Sequence, residues 1–511
     1  MQDAREAAAR PSAAPRRARW IRVASLAGGV AFAASSVIAL LAGLGLVEVP
    51  RLVIDLPLAV LFAIAAAGTV RLGQWVAQLL LFRAGGPYTC RAGPVAGYPD
   101  RLSCTEGETV ALHVHGDGRV AGQLFRLGAT KEPVGEQRPI DRIVQTHLYD
   151  RRVGAAWQPT DAFDTTGLRP GLYSLELTRE GATRPGFALP LIVKPKRRPR
   201  IAVIAGSNTW EAYNAWGGVS NYRNDHIARW LFLARRQVRA LPRPLWNTVP
   251  FRRPNQAVSE ALLALTHPDA DHGERLIATE WSLLSFLERE GFQYGVYSDV
   301  DLAFSADPLE PDLLIIHGHT EYWAAEMVHA VERHVHAGRR LLISGGNPLF
   351  SVVEFTGEGL LIDPTPAPRS GITRLIGSYY TDSGQHTAAP MKVLAPDHWV
   401  FGGLGVEREQ VFGRSSCYRP HGGRRQRAFQ QDQDGASGVF TQETGVGAGE
   451  FQMLAVGLNP HGPAHVMFRP TPQGGWVFNS GSGAFTGALM RDDVVAGMMR
   501  NLIHEAIGGT P

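Results

Sequence analysis

The stretch Leu313-Leu314-Ile315-Ile316-His317-Gly318-His319-Thr320-Glu321-Tyr322-Trp323 decides how the rest of the chain is read. Four branched apolar residues in a row, with no polar alternation, predict a strand buried on both faces. A glycine and a cluster of titratable side chains follow at once. The same pattern recurs on either side. Ile201-Ala202-Val203-Ile204-Ala205 runs into Gly206-Ser207-Asn208, and Leu341-Leu342-Ile343-Ser344 runs into Gly345-Gly346-Asn347. Trp476-Val477-Phe478-Asn479 runs into Ser480-Gly481-Ser482-Gly483. Helical patterns lie between them: Arg275–Glu290 with Trp281, Leu284 and Leu287 on one face, then about 323–336, then from about 490. Apolar strands alternating with helices predict an α/β domain with a doubly wound parallel sheet over 196–511. Ligands bind such sheets beyond the carboxyl ends of the strands, where these polar residues fall.

Upstream, 84–195 carries dense turn signals around short alternating runs, Thr109–His115 and Gly171–Leu177 among them. That pattern predicts a small antiparallel β-sandwich. His113 and His115 share one face of a strand, but no third metal partner accompanies them, so they read as structural. The segment 194–200, Lys-Pro-Lys-Arg-Arg-Pro-Arg, reads as a solvated linker. Residues 419–450 read as an irregular insertion.

The N-terminus predicts a membrane anchor. A basic tail over 1–22 precedes two apolar runs within 23–83, the first uncharged from Val23 to Val47 and long enough to span a bilayer. Basic residues before the first run and after the second place both ends inside. The expectation is a transmembrane helical hairpin at a bacterial inner membrane, multi-pass, with the large domain cytoplasmic and the lipid bilayer as a partner.

Composition narrows the function classes. The chain has 511 residues, 44% of them hydrophobic and 19% charged, which excludes a disordered, collagenous or coiled-coil protein. A net charge of +4 gives no argument for nucleic acid. Three cysteines exclude a disulfide scaffold and a four-cysteine metal site. Cys90 and Cys104 lie close enough in sequence to pair, although two buried thiols is the plainer reading.

The layout resembles the class I glutamine amidotransferase fold. That chemistry needs a thiolate on the sharp turn after a strand. Here that turn is Gly345-Gly346-Asn347, and the cysteines lie elsewhere. Gly-x-Ser-x-Gly is approached only loosely, by Ser480–Gly483. What remains is oxygen-donor chemistry: Tyr213 and Tyr222 after the first strand, and His319 with Glu321 after the central one. Phenolate and carboxylate are hard ligands suited to a hard trivalent ion. By spacing alone the metal reading is weak, and packing or hydrogen bonding is the commoner explanation for such residues.

Several segments occur in an order that resembles the large (beta) subunit of N,N-dimethylformamidase. They are Thr209–Asn214, Gly217–Tyr222, Asp299–Leu302, Gly318–Trp323 and Gly345–Asn347, joined by Asp397–Gly403, Gly475–Ser482 and, in the sandwich, Ala96–Ser103. The likeness covers about 90–508. It implies an amidohydrolase with a mononuclear Fe(III) held by Tyr213, Tyr222 and Glu321, with His319 moving protons and Asn347 lining the pocket. The substrate would be a small-molecule amide, hydrolysed to acid and amine. A small partner subunit or a homo-oligomer is also implied. The chain departs from the family where a Gly-aromatic-Glu-x-Asp stretch is expected: Ala428-Phe429-Gln430-Gln431-Asp432 puts Gln430 in place of a carboxylate. Glu443 and Glu450 are the nearby carboxylates. The alternative is a non-catalytic, membrane-tethered module that keeps the fold for binding or assembly.

Overall fold

The computed structural model describes residues 93–508 and the pair 88–89, apart from 147, 150–152, 219, 221–247, 272–275, 306–308, 357–358, 367–368, 382–386, 419–433, 439–440 and 445–447. Its centre is a nine-stranded sheet. In chain order the strands are β1 (Ile201–Ala205), β2 (Gly295–Ser298), β3 (Leu313–Gly318), β4 (Arg340–Gly345), β5 (Met391–Val393), β6 (Val411–Phe412), β7 (Gln452–Gly457), β8 (His465–Pro470) and β9 (Trp476–Asn479). Their order across the sheet is β2-β1-β3-β4-β9-β8-β7-β5-β6. The first five are mutually parallel. The rest run antiparallel, from β9 through β8, β7 and β5 to β6.

The expected doubly wound, wholly parallel sheet is therefore corrected to a mixed one. The cause is local. No helix separates β7 from β8 or β8 from β9, and a strand followed directly by another returns antiparallel. The turn residues Asn459–Gly462 and Thr471–Gly475 close these two hairpins.

The N-terminal expectation is corrected as well. Among the described residues no helix is long and apolar enough to cross a membrane. Neither the hairpin nor the multi-pass inner-membrane placement with a cytoplasmic domain finds support, and both are set aside. The runs within 23–83 lie outside the described residues.

The parallel half is packed on both faces, and its strands alternate between the two cores. Val203, Ala205, Leu313, Ile315 and Leu342 face one core. Ala202, Ile204, Leu314, Ile316, Leu341 and Ile343 face the other. The first core is covered by α2 (Gln256–Ala264), α3 (Ala278–Arg289) and α6 (Asp493–Ala506). The second is covered by α5 (Ala325–His336) through Met327, Val331 and Val335. Two short helices, α1 (Ser207–Tyr213) and α4 (Asp299–Phe304), follow β1 and β2 directly.

The sandwich is built from a five-stranded and a three-stranded sheet between Val95 and Lys194. It is bolted to α3. The Trp281 indole donates to the Gly128 carbonyl at 2.8 Å and the Ser285 hydroxyl to the Ala129 carbonyl at 3.1 Å. Arg126 pairs with Glu288, whose other oxygen accepts from the Ala129 N–H at 2.8 Å. His113 and His115 are structural: the first bonds the Trp157 carbonyl at 2.7 Å and the second accepts from the Gln145 N–H at 3.1 Å. The basic run 194–200 is mostly exposed, and most of its charges are paired. Lys194 meets Asp301, Lys196 meets Glu106, Arg198 meets Glu310 and Arg200 meets Asp312. Cys104 is a buried free thiol, and Cys90 lies outside the described residues.

Candidate active site

The site forms where β1, β3 and β4 end. Two backbone features bring the last two turns together. Gly318 takes φ +70°, a left-handed conformation that costs glycine little. A side chain at Gly345 would place its Cβ 2.4 Å from the Gly318 carbonyl oxygen, so only glycine fits. The turns are then laced: the Gly346 N–H donates to the Gly318 carbonyl at 2.9 Å, Leu349 N–H to Thr320 at 3.2 Å and Ser351 N–H to Glu321 at 3.0 Å. Helix α1 joins the same web. The Glu321 N–H donates to Thr209 Oγ1 at 2.9 Å, and Asn208 Nδ2 donates to the Tyr322 carbonyl at 3.1 Å.

This web brings three of the sequence candidates into contact. The Tyr213 hydroxyl lies 2.9 Å from His319 Nε2 and 3.5 Å from Glu321 Oε2. His319 Nε2 lies 3.3 Å from Glu321 Oε2. His319 and Glu321 are buried, and Tyr213 is half-buried. The other imidazole nitrogen, Nδ1, is 3.3 Å from the Gly346 carbonyl. A carbonyl only accepts, so Nδ1 carries the proton, and a neutral His319 presents Nε2 as an acceptor. Three electron-rich atoms thus converge with one phenolic proton among them. The two oxygen donors of this set fit a hard metal ion.

Asn347 sits on the neighbouring turn at φ +59° and is buried, and its Oδ1 has no hydrogen-bond partner. Tyr222 and Gln430 lie outside the described residues. Glu443, half-buried, accepts from Thr381 Oγ1 at 2.7 Å, and Glu450 is exposed. Among the described residues no group of three or more His, Cys, Asp or Glu could hold a metal; the phenol of Tyr213 is what distinguishes the present set. Burial pushes the Cys104 thiol up to about 11 and raises that of Cys417, so neither is a thiolate at neutral pH.

Sequence reasoning missed the charged residues behind the site. Glu211 and Arg253 form a buried pair, with the Arg253 side chain 0% exposed. Burial raises the Glu211 carboxyl, and the guanidinium opposes that rise. Glu280, raised by burial, accepts from the Trp210 indole at 3.1 Å. Its signal was legible: Glu280 shares the apolar stripe of Trp281's helix with Leu284 and Leu287. Asp299, pushed up to about 8 by burial, accepts the Asn208 N–H at 2.7 Å. His317 is pushed down to about 3 by burial alone, and neither ring nitrogen has a hydrogen-bond partner. It is a neutral core residue, separate from the chemistry of His319. A cavity of about 390 Å³ lined by Trp399, Phe468, Trp476 and Glu505 lies at the start of β9, at the opposite end of the sheet.

No curated protein matches the sequence. Among solved structures, a cytoplasmic protein of Salmonella typhimurium is 12% identical, with 44% of this chain and 85% of that one covered and a TM-score of 0.27. An exo-β-1,4-mannosidase of an Opitutaceae bacterium is 13% identical, covering 61% of this chain and 36% of its own, with a TM-score of 0.27. A ThuA-like protein of Parabacteroides merdae is 12% identical, with 45% and 84% covered and a TM-score of 0.27. Likenesses at this level carry no argument about the chain. The family described as N,N-dimethylformamidase beta subunit-like, C-terminal, matches residues 113–370, which span most of the sandwich and the strands β1 to β4 that carry Tyr213, His319, Glu321 and Asn347. With half of its length matched, the chain belongs to the N,N-dimethylformamidase beta subunit-like family.

Proposed function

We propose that the chain is an amidohydrolase that cleaves the C–N bond of a small-molecule amide. The observation that carries this reading is the convergence of Tyr213, His319 and Glu321 at the carboxyl ends of β1 and β3. Tyr213 and Glu321, with Tyr222, would hold a mononuclear Fe(III). When bound, the ion supplies Lewis acidity toward the amide carbonyl. The remaining work falls to the side chains. His319, fixed through Nδ1 on the Gly346 carbonyl, would take a proton from attacking water at Nε2 and pass it to the leaving amine. Glu321 stabilises the imidazolium formed in between, at 3.3 Å. Asn347, buried with its Oδ1 uncommitted, would line the pocket and orient the amide.

The test is iron content and the visible spectrum of the full chain, grown in iron-replete medium, with hydrolysis of a panel of small amides. About one iron per chain, with a tyrosinate-to-iron band lost or shifted in Tyr213→Phe, is expected. His319→Gln should keep the iron and lower turnover by about 10²–10⁴-fold, the range for a lost general acid–base. Absence of both iron and hydrolysis would leave a non-catalytic binding module as the better reading.

A further inference from the structure

We propose that Arg253, acting through Glu211, is a positioning residue that fixes where the Tyr213 phenol meets His319. Tyr213 is the last residue of α1, and the chain leaves the helix there at Asn214. One guanidinium grips both sides of that exit. Arg253 Nη2 donates to the Glu211 carbonyl at 3.0 Å, Nε faces Glu211 Oε2 at 3.4 Å, and Nη1 donates to the Trp216 carbonyl at 2.9 Å. Tyr213 lies between these anchors in sequence.

Two asparagines close the clamp. Asn255 Nδ2 donates to Glu211 Oε1 at 2.8 Å and to the Trp210 carbonyl at 3.2 Å. Asn214 Nδ2 donates to Glu211 Oε2 at 3.2 Å and to the Pro254 carbonyl at 2.9 Å. Its Oδ1 accepts from the Trp216 N–H at 3.0 Å. The loop is held from the sandwich too. Trp157 packs edge-on against Trp216 with ring centroids 5.7 Å apart, and the Ala155 N–H donates to the Arg252 carbonyl at 2.7 Å. With Arg253, Glu211, Asn214 and Asn255 bonded to one another and to the backbone, this network favours one arrangement. Lysine cannot replace this arginine, because one ammonium cannot span three acceptors set in a fork. A displacement of the phenol by about 1 Å would break its 2.9 Å contact with His319.

The proposal gives Tyr213 its importance through the hydrolase reading, but the contact it controls exists without metal or substrate. The full chain is therefore labelled with ¹⁵N-histidine and studied metal-free. The His319 signals are assigned by their loss in His319→Gln, and Tyr213→Phe supplies the shift of an Nε2 without its phenol donor. In Arg253→Met/Glu211→Gln, which removes the ion pair as a unit, the Nε2 signal should move to the Tyr213→Phe position. Arg253→Lys should move it part of the way, and it carries the test if the double variant does not fold. Ferric-ion affinity should fall about tenfold or more, as for groups that orient metal ligands. A folded variant with the His319 signal at its wild-type position overturns the proposal. A wild-type chain that takes no iron and hydrolyses no amide overturns the hydrolase reading instead; a moving His319 signal would then still support the clamp.

Discussion

Helices α6 and α1 are built on opposite plans. Helix α6 has fourteen residues and its own N-cap: Asp492 accepts from the Val494 and Val495 N–H groups at 3.1 and 3.0 Å. It buries a stripe through Val495, Met498, Leu502 and Ile503. Helix α1 has seven residues, and its N-cap position is Gly206, with no side-chain cap. Six of those residues are buried, polar ones included. A helix this short does not persist on its own propensity. Its start is capped from another element: Asp299, the first residue of α4, accepts from the Asn208 N–H. Its end is gripped by Arg253. The helix that only fills the core carries its own instructions, whereas the helix that carries the site borrows them. That difference fixes which substitutions matter and by how much.

The largest effect should come from the borrowed cap. Asp299 is buried, with its carboxyl pushed up to about 8 from 3.8; burial is the main cause, and Glu280 and Asp301 add to it. Its folded-state value lies above the unfolded one. The stability it contributes is full below about pH 4 and is lost as pH rises toward 8, on the order of 5 kcal/mol across that window. Asp299→Asn keeps an acceptor for the Asn208 N–H and cannot ionise. The variant should flatten the fall in melting temperature between pH 5 and 8 relative to wild type, while the raised Glu211 and Glu280 and the depressed His317 and His334 keep their own contributions to the slope. An unchanged slope would mean that Asp299 is not held neutral in the folded protein.

The next effect tests the other end of α1. Arg253→Met alone leaves Glu211 buried without its cation and should cost about 3–5 kcal/mol, the usual penalty for breaking a buried pair. Adding Glu211→Gln should recover most of that loss in urea titrations, since the pair is removed together. Recovery of stability without recovery of the His319 contact would separate folding from positioning, which is the distinction between the two helices.

These residues also mark where the sequence stops being informative. β1, β3, β4 and β9 were legible because runs such as Leu313–Ile316 are apolar on both faces, and α3, α5 and α6 because their stripes recur at helical spacing. His319, Glu321 and Tyr213 were placed by their position just past strand ends, together with a family likeness. The antiparallel half was misread because 452–457 and 465–470 are short and the turn Asn459–Gly462 was not weighed as a hairpin signal. The basic run 194–200 meets the carboxylates of Asp301, Glu310 and Asp312, which lie a hundred residues away in sequence and which charge patterning cannot show. Arg253 and Asp299 were invisible for the same reason. A charged residue reads as solvent-facing until tertiary contacts bury it, and the parts of this site that hold α1 consist of such residues.

The smallest effect belongs to the self-sufficient helix. Asp492→Ala removes the acceptor for two N–H groups of α6 and for the Gly413 N–H, which donates to the other carboxylate oxygen at 2.7 Å. The cost should be about 1–2 kcal/mol, the range for a lost N-cap. The rest of α6 stays, because its buried stripe is untouched and packs against the first core. Loss should therefore be confined to global stability, measured as a drop in the urea midpoint with an unchanged slope. The His319 Nε2 signal should stay in place, because no contact of Asp492 reaches α1 or the turn after β3. A shift of that signal in Asp492→Ala would show that α6 also sets the site, and the division between a helix that fills the core and a helix that is held for chemistry would fail.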